Sequence, residues 1–108
     1  MLKRVLIVGN NFLMNSLIYK VIKEDQMEII MVNLDGAKKI KKTEMFDLVI
    51  IDLDIQKKTY LMLIRKLAKL AKKVILIVDK KIKKPTYVDY IINKPFLIND
   101  LKGIVNGV

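Results

Sequence analysis

The sequence predicts a doubly wound α/β fold: five parallel strands, which fit the order 2-1-3-4-5, with helices on both faces. Three observations predict it. Short aliphatic runs rich in β-branched residues recur at 5–8, 29–32, 48–51, 74–78 and 90–92, as expected of strands buried on both faces. Stretches with helical periodicity lie between them, and such alternation builds right-handed βαβ units on a parallel sheet. The chain has 108 residues, which suits a single domain over 1–108 and leaves no room for a second core.

Taken in order, strand one at 5–8 follows Lys3 and Arg4. The first helix begins after Asn10 and Asn11, whose side-chain oxygens can cap it. Its apolar stripe is Leu13, Met14, Leu17, Ile18, Val21 and Ile22, spaced in threes and fours. After strand two at 29–32, a Lys-rich helix of a turn or two is expected over 37–43. Strand three at 48–51 leads to a third helix. Thr59 is its expected cap, and Leu63, Ile64, Leu67, Leu70 and Ala71 are its buried stripe. Strand four is 74–78 and strand five is 90–92. The last helix starts near Ile98 or Asn99 and buries Leu101, Ile104 and Val105, weakened by Gly103. Only 11 residues, with Pro85 among them, separate strands four and five. An average helix alone takes about that many, so the fourth crossover helix is expected to be shortened or missing.

Composition narrows the chemistry. There are no cysteines and no histidines, which excludes disulfides, thiolate metal sites, a Cys nucleophile and histidine acid–base or phosphoryl chemistry. Lys and Arg number 21 against 11 Asp and Glu, a net charge of +10. Only Arg4 and Arg65 are arginine, so the surplus attracts anions without the planar fork that suits phosphates and bases. Aromatic residues are few (Phe 3, Tyr 4, Trp 0), and base stacking has little to work with. The lysine pairs at 38/39, 41/42, 80/81 and 83/84 are read first as solvated faces. Nucleic acid is not an expected partner. No apolar run approaches the roughly 20 residues of a bilayer helix, and the apolar N-terminal stretch is interrupted at Gly9, so a cytoplasmic location is expected.

Ligands of open α/β sheets sit beyond the carboxyl ends of the strands. The residues there are Gly9, Asn10 and Asn11 after strand one, Asp52, Leu53 and Asp54 after strand three, Val78 and Asp79 after strand four, and Asn93, Lys94 and Pro95 after strand five. A carboxylate, an ammonium and several amides are thereby expected on one rim.

In that arrangement, Phe46-Asp47-Leu48-Val49-Ile50-Ile51-Asp52 resembles the Asp-ended third strand of response-regulator receiver domains, the CheY-like superfamily. Asn93-Lys94-Pro95-Phe96 resembles their Lys-Pro-Phe motif, and Lys3-Arg4-Val5-Leu6-Ile7-Val8 their first strand. The resemblance runs along essentially the whole chain and implies the flavodoxin-like order 2-1-3-4-5. It implies a bacterial two-component signalling role without enzymatic activity. Asp52 matches the phosphoacceptor, Lys94 the lysine that neutralises the phosphoryl oxygens, and Pro95 the proline that often follows a cis bond. It further implies a Mg²⁺ cofactor held by an acidic pair after strand one. Gly9 and Asn10 stand at those positions, and a neutral amide is a weak ligand for a hard cation. The hydroxyl expected at the end of strand four is replaced by Val78 or Asp79. The switch aromatic falls on Ile91, one residue from Tyr90.

The resemblance and its departures give one leading expectation: a stand-alone receiver-like signalling domain, of pseudo-receiver type, acting through protein contacts. Its partner would be a histidine kinase, an output protein or a second copy of the chain. Lys94 then serves as ion-pair partner of Asp52, and Mg²⁺ affinity is low. Two alternatives stay open. One is a working phosphoacceptor on Asp52 with an unusual metal set of Asp52, Asn10 and Asp54, the first and last sharing strand parity. The other is a basic module for an anionic partner on a receiver scaffold. Asp54 and Asp79 are read first as loop carboxylates balancing nearby lysines.

Overall fold

In the computed structural model, residues 2–107 are described. The sheet has the order β2-β1-β3-β4-β5, and every neighbouring pair is parallel. The strands are β1 (Lys3–Gly9), β2 (Met27–Val32), β3 (Phe46–Asp52), β4 (Ala71–Val78) and β5 (Tyr90–Asn93). The helices are α1 (Phe12–Ile22), α2 (Leu34–Lys38), α3 (Lys58–Ala68) and α4 (Ile98–Asn106). No helix is long and apolar enough to cross a membrane among the described residues.

The continuous aliphatic runs become central strands because alternate side chains point to opposite faces and both faces are covered. Leu6, Val8, Val49, Ile51, Val74, Leu76 and Val78 form one core layer with Ala37 of α2 and Leu63, Ile64 and Leu67 of α3. Val5, Ile7, Leu48, Ile50, Ile75, Ile77 and Ile92 form the other, with Ile18 and Ile22 of α1 and Leu101 and Val105 of α4.

Several local expectations are corrected. In α1 the buried side chains are Asn15, Ile18 and Ile22, whereas Leu13 is 79% and Leu17 42% exposed. The spacing i, i+3, i+7 holds, but the face is rotated toward Asn15. Helix α2 lies at Leu34–Lys38, ahead of the expected 37–43, because the Asn33 side chain accepts a hydrogen bond from Gly36 N and starts the helix early. Helix α3 begins one residue before Thr59, and its N-cap Lys57 makes no side-chain cap bond. Ala71 belongs to β4 rather than α3. The helix closes at Lys69, and Ala71 pairs with Phe46 of β3. Ile104 is half-buried, while Leu101 and Val105 carry α4.

Residues 79–89 form no helix, in agreement with the short spacing. The connection is anchored at its far end instead. Val88 is 1% exposed, Asp89 N donates to Val74 O at 3.0 Å, and Val74 N donates to Asp89 Oδ2 at 2.8 Å. These bonds satisfy the edge N–H and C=O of Val74 in β4 just ahead of its pairing with β5.

Candidate functional site

Parallel strands end at a common rim, and the pairing fixes which residues meet there. Gly9 is the register partner of Asp52, and Val78 that of Asn93. Lys94 N donates to Val78 O at 2.8 Å, extending the β5 register by one residue. The Lys94–Pro95 peptide that follows is cis.

Asp52 and Lys94 are thereby brought face to face. Lys94 Nζ lies 2.7 Å from Asp52 Oδ1, with the two side chains 26% and 9% exposed respectively. Asp79, 77% exposed, stands 3.6 Å from the same ammonium. Burial opposes the charge on Lys94, but the hydrogen bond and attraction of Asp52, helped by Asp79, outweigh it. The Lys94 pKa is raised above the ordinary lysine value. The pair joins the end of β3 to the end of β5 across the intervening tip of β4.

The pair opens onto a cleft of about 280 Å³ whose lining includes Asn10, Asp54, Tyr60, Val78 and Lys80. Three side-chain oxygens around it accept backbone hydrogen bonds, and the exposed Asp79 carboxylate also lines the cleft. Asn10 Oδ1 accepts from Leu34 N at 3.0 Å and pins the start of α2. Asn11 Oδ1 accepts from Met14 N at 3.0 Å as the cap of α1. Asp54 Oδ1 accepts from Gln56 N at 3.0 Å in a local turn, and Asp54 is exposed. Strand geometry ends at Asp52, and Asp54 lines the same cleft from the turn that follows. Among the described residues, no three acidic side chains are grouped so as to hold a metal ion.

The β4–β5 register carries no slip: Ile75 pairs with Tyr90 and Leu76 with Ile91. Ile91 packs against the α3 side of the sheet, while Tyr90 is 37% exposed.

One site residue was not foreseen. Asn15 is 5% exposed, and its Nδ2 donates to Gly9 O at 2.9 Å. Its Oδ1 is buried without a hydrogen-bond partner. The available signal was its place three and seven residues before Ile18 and Ile22, on the helix face those residues bury.

No protein-family model matches the chain, and no curated protein matches it. Solved structures do. A signal receiver domain of a two-component histidine kinase from Clostridium thermocellum is similar with a TM-score of 0.71 and 20% identity, over 97% of this chain and 95% of that one. A chain described as adenylate cyclase from Rhodopirellula baltica is similar at 0.72 and 15% identity, over 99% and 87%. The chemotaxis response regulator CheY4 of Vibrio cholerae is similar at 0.68 and 14% identity, over 99% and 98%. With its five-stranded parallel sheet of order 2-1-3-4-5, the chain has the fold of response-regulator receiver domains.

Proposed function

We propose that this chain is a receiver-like signalling domain of the two-component type whose pocket works without a divalent cation. The observation that carries the reading is the 2.7 Å contact between Lys94 Nζ and the nearly buried Asp52 carboxylate. A hard cation takes six or more oxygen ligands, several of them carboxylate. Here one nearly buried carboxylate faces the pocket, the Asp79 carboxylate beside it is exposed and lies against the Lys94 ammonium, Gly9 has no side chain to offer, and Asn10 Oδ1 and Asp54 Oδ1 each accept a backbone hydrogen bond. The residues present therefore do not fit Mg²⁺. Lys94 supplies the positive charge in its stead and holds the Asp52 carboxylate in a neutralised state.

A carboxylate already paired at hydrogen-bond distance is a poor nucleophile toward an anionic phosphoryl donor. Attack would require Asp52 to approach negative oxygens with no metal to screen them. The domain instead presents a fixed shape. The ion pair holds the tips of β3 and β5 together, and with them the 53–57 turn and the 79–89 connection that flank the cleft. Partner proteins, whether a histidine kinase or an output protein, would read that rim and the adjoining helix faces. Incubation with acetyl phosphate and Mg²⁺, followed by intact-mass measurement, tests the reading. The expected result is an unchanged mass. Gain of one phosphoryl group, abolished by Asp52→Asn, would establish the phosphoacceptor instead.

A further inference from the structure

Gly9 ends β1 beside Asp52. A Cβ placed on it would lie 2.8 Å from Asn15 Oδ1, 3.2 Å from Asp52 Cβ and 3.3 Å from the Asp52 carbonyl oxygen. The first contact is closer than a real carbon and oxygen approach, and Asn15 cannot swing aside freely. The residue is 5% exposed, and its Nδ2 is held by the Gly9 carbonyl at 2.9 Å. Turning the carboxamide over would set Oδ1 against that carbonyl, acceptor against acceptor. Oδ1 therefore stays over the Gly9 α-carbon, buried and unpartnered. Buried polar atoms without partners are rare, and one beside a candidate site calls for an explanation.

We infer that Asn15 closes the pocket to hard cations, by filling the volume that a side chain at position 9 would need. Position 9 is the one place on the neighbouring strand paired directly with Asp52. A second carboxylate there would sit beside the first, and oxygen ligands in that arrangement are what a hard cation requires. With Asn15 in place, no residue larger than glycine fits. Gly9 and Asn15 are thus one unit, and neither can change alone without a clash or a void. This rests on the cation-free reading of the pocket and adds the residue that enforces it. Asn15 is a positioning residue, since it acts through what it excludes.

The test has two arms, both on the full chain. The first is a metal-free stability cycle of Gly9→Ala, Asn15→Ala and the double variant in urea. Gly9→Ala is expected to lower the unfolding midpoint, and the double variant to match or exceed Asn15→Ala, because the new methyl occupies the space that the amide leaves. Additive effects would overturn the inference. The second is Mn²⁺ calorimetry of the wild type, Gly9→Asp/Asn10→Asp, and the same pair with Asn15→Ala. Both acidic variants carry the same added charge repulsion, so their comparison isolates Asn15. The triple variant is expected to bind Mn²⁺ at least about tenfold more tightly than the double. Equal affinity, or a folded triple variant that takes up no Mn²⁺, would overturn the inference and leave the cation-free reading standing. Wild-type binding tighter than about 1 mM would instead overturn the cation-free reading itself. If the triple variant does not fold, the stability cycle decides.

Discussion

Replacing Lys94 by Met keeps the apolar stem and removes the charge, so the loss reads the ion pair rather than packing. At 2.7 Å, the direct attraction is about 6 kcal/mol at an effective dielectric of 20. Desolvation of the two groups cancels most of this. Exposed pairs net about 0–1 kcal/mol, whereas stripping one partner from a fully buried pair costs about 3–5 kcal/mol. With side chains 26% and 9% exposed, this pair lies between those limits, and the expected loss for Lys94→Met is about 2 kcal/mol. The assay is urea unfolding at pH 7. For an m value of about 1–2 kcal/mol/M, the midpoint falls by roughly 1–2 M. Lys80→Met, at the exposed rim of the same cleft, is the control and shifts stability by less than about 0.5 kcal/mol. The pH dependence has a definite sign. The Lys94 pKa is raised in the folded protein above 10.5, so its contribution is fully present below that value and is lost as pH rises through the higher folded value. The difference between wild type and Lys94→Met should be flat from neutral to mildly alkaline pH and shrink only beyond the ordinary lysine range. A Lys94→Met protein as stable as wild type, or more stable, would refute the claim that the ammonium compensates Asp52.

Three further outcomes follow from the packing. Asp47 accepts a 2.8 Å hydrogen bond from Arg4 N and pairs with Lys72 at 3.4 Å. The Arg4 bond, opposed by burial and aided by Lys72, lowers its pKa below 3.8. Asp47→Ala should cost about 1–2 kcal/mol at neutral pH. That difference should fade as acid brings the carboxyl through its folded value, as compared by urea midpoints at neutral and strongly acid pH. Leu101, fully buried where α4 meets the sheet, should cost about 2–5 kcal/mol as Leu101→Ala in thermal or urea unfolding. Asn11→Ala, which removes the cap bond to Met14 N, should cost about 1 kcal/mol by the same measurements and lower protection of the first α1 amides in hydrogen exchange.

Much of this molecule was legible in its residues. The β-branched runs that cover 48–51 and 74–78 read as strands buried on both faces, and their alternation with helical stretches implies parallel crossovers. That pointed to the rim on which Asp52 and Lys94 appear, while the order 2-1-3-4-5 is one that five such strands fit and that the resemblance to receiver domains implies. The missing crossover helix was equally legible, because 11 residues with a proline leave too little chain. Boundaries and faces were less so. Ala71 reads equally well on a helix or in a strand, and only its pairing with Phe46 decides. Leu13 and Leu17 satisfy the helical period but face water, since the period gives the width of a stripe and its partner sets the rotation. Asn15 was missed because a polar residue on a helix is ordinarily solvated, although it shares the face of Ile18 and Ile22 that the sheet buries. The sequence by itself indicated the layers and the single rim of charges, because apolar periodicity and chain length are local quantities, and its motifs carried the resemblance that implies the strand order. Tertiary structure alone decided how closely the expected ammonium and carboxylate approach and that an amide fills the space beside Gly9, because such contacts join residues distant in the chain and depend on angstrom-scale packing.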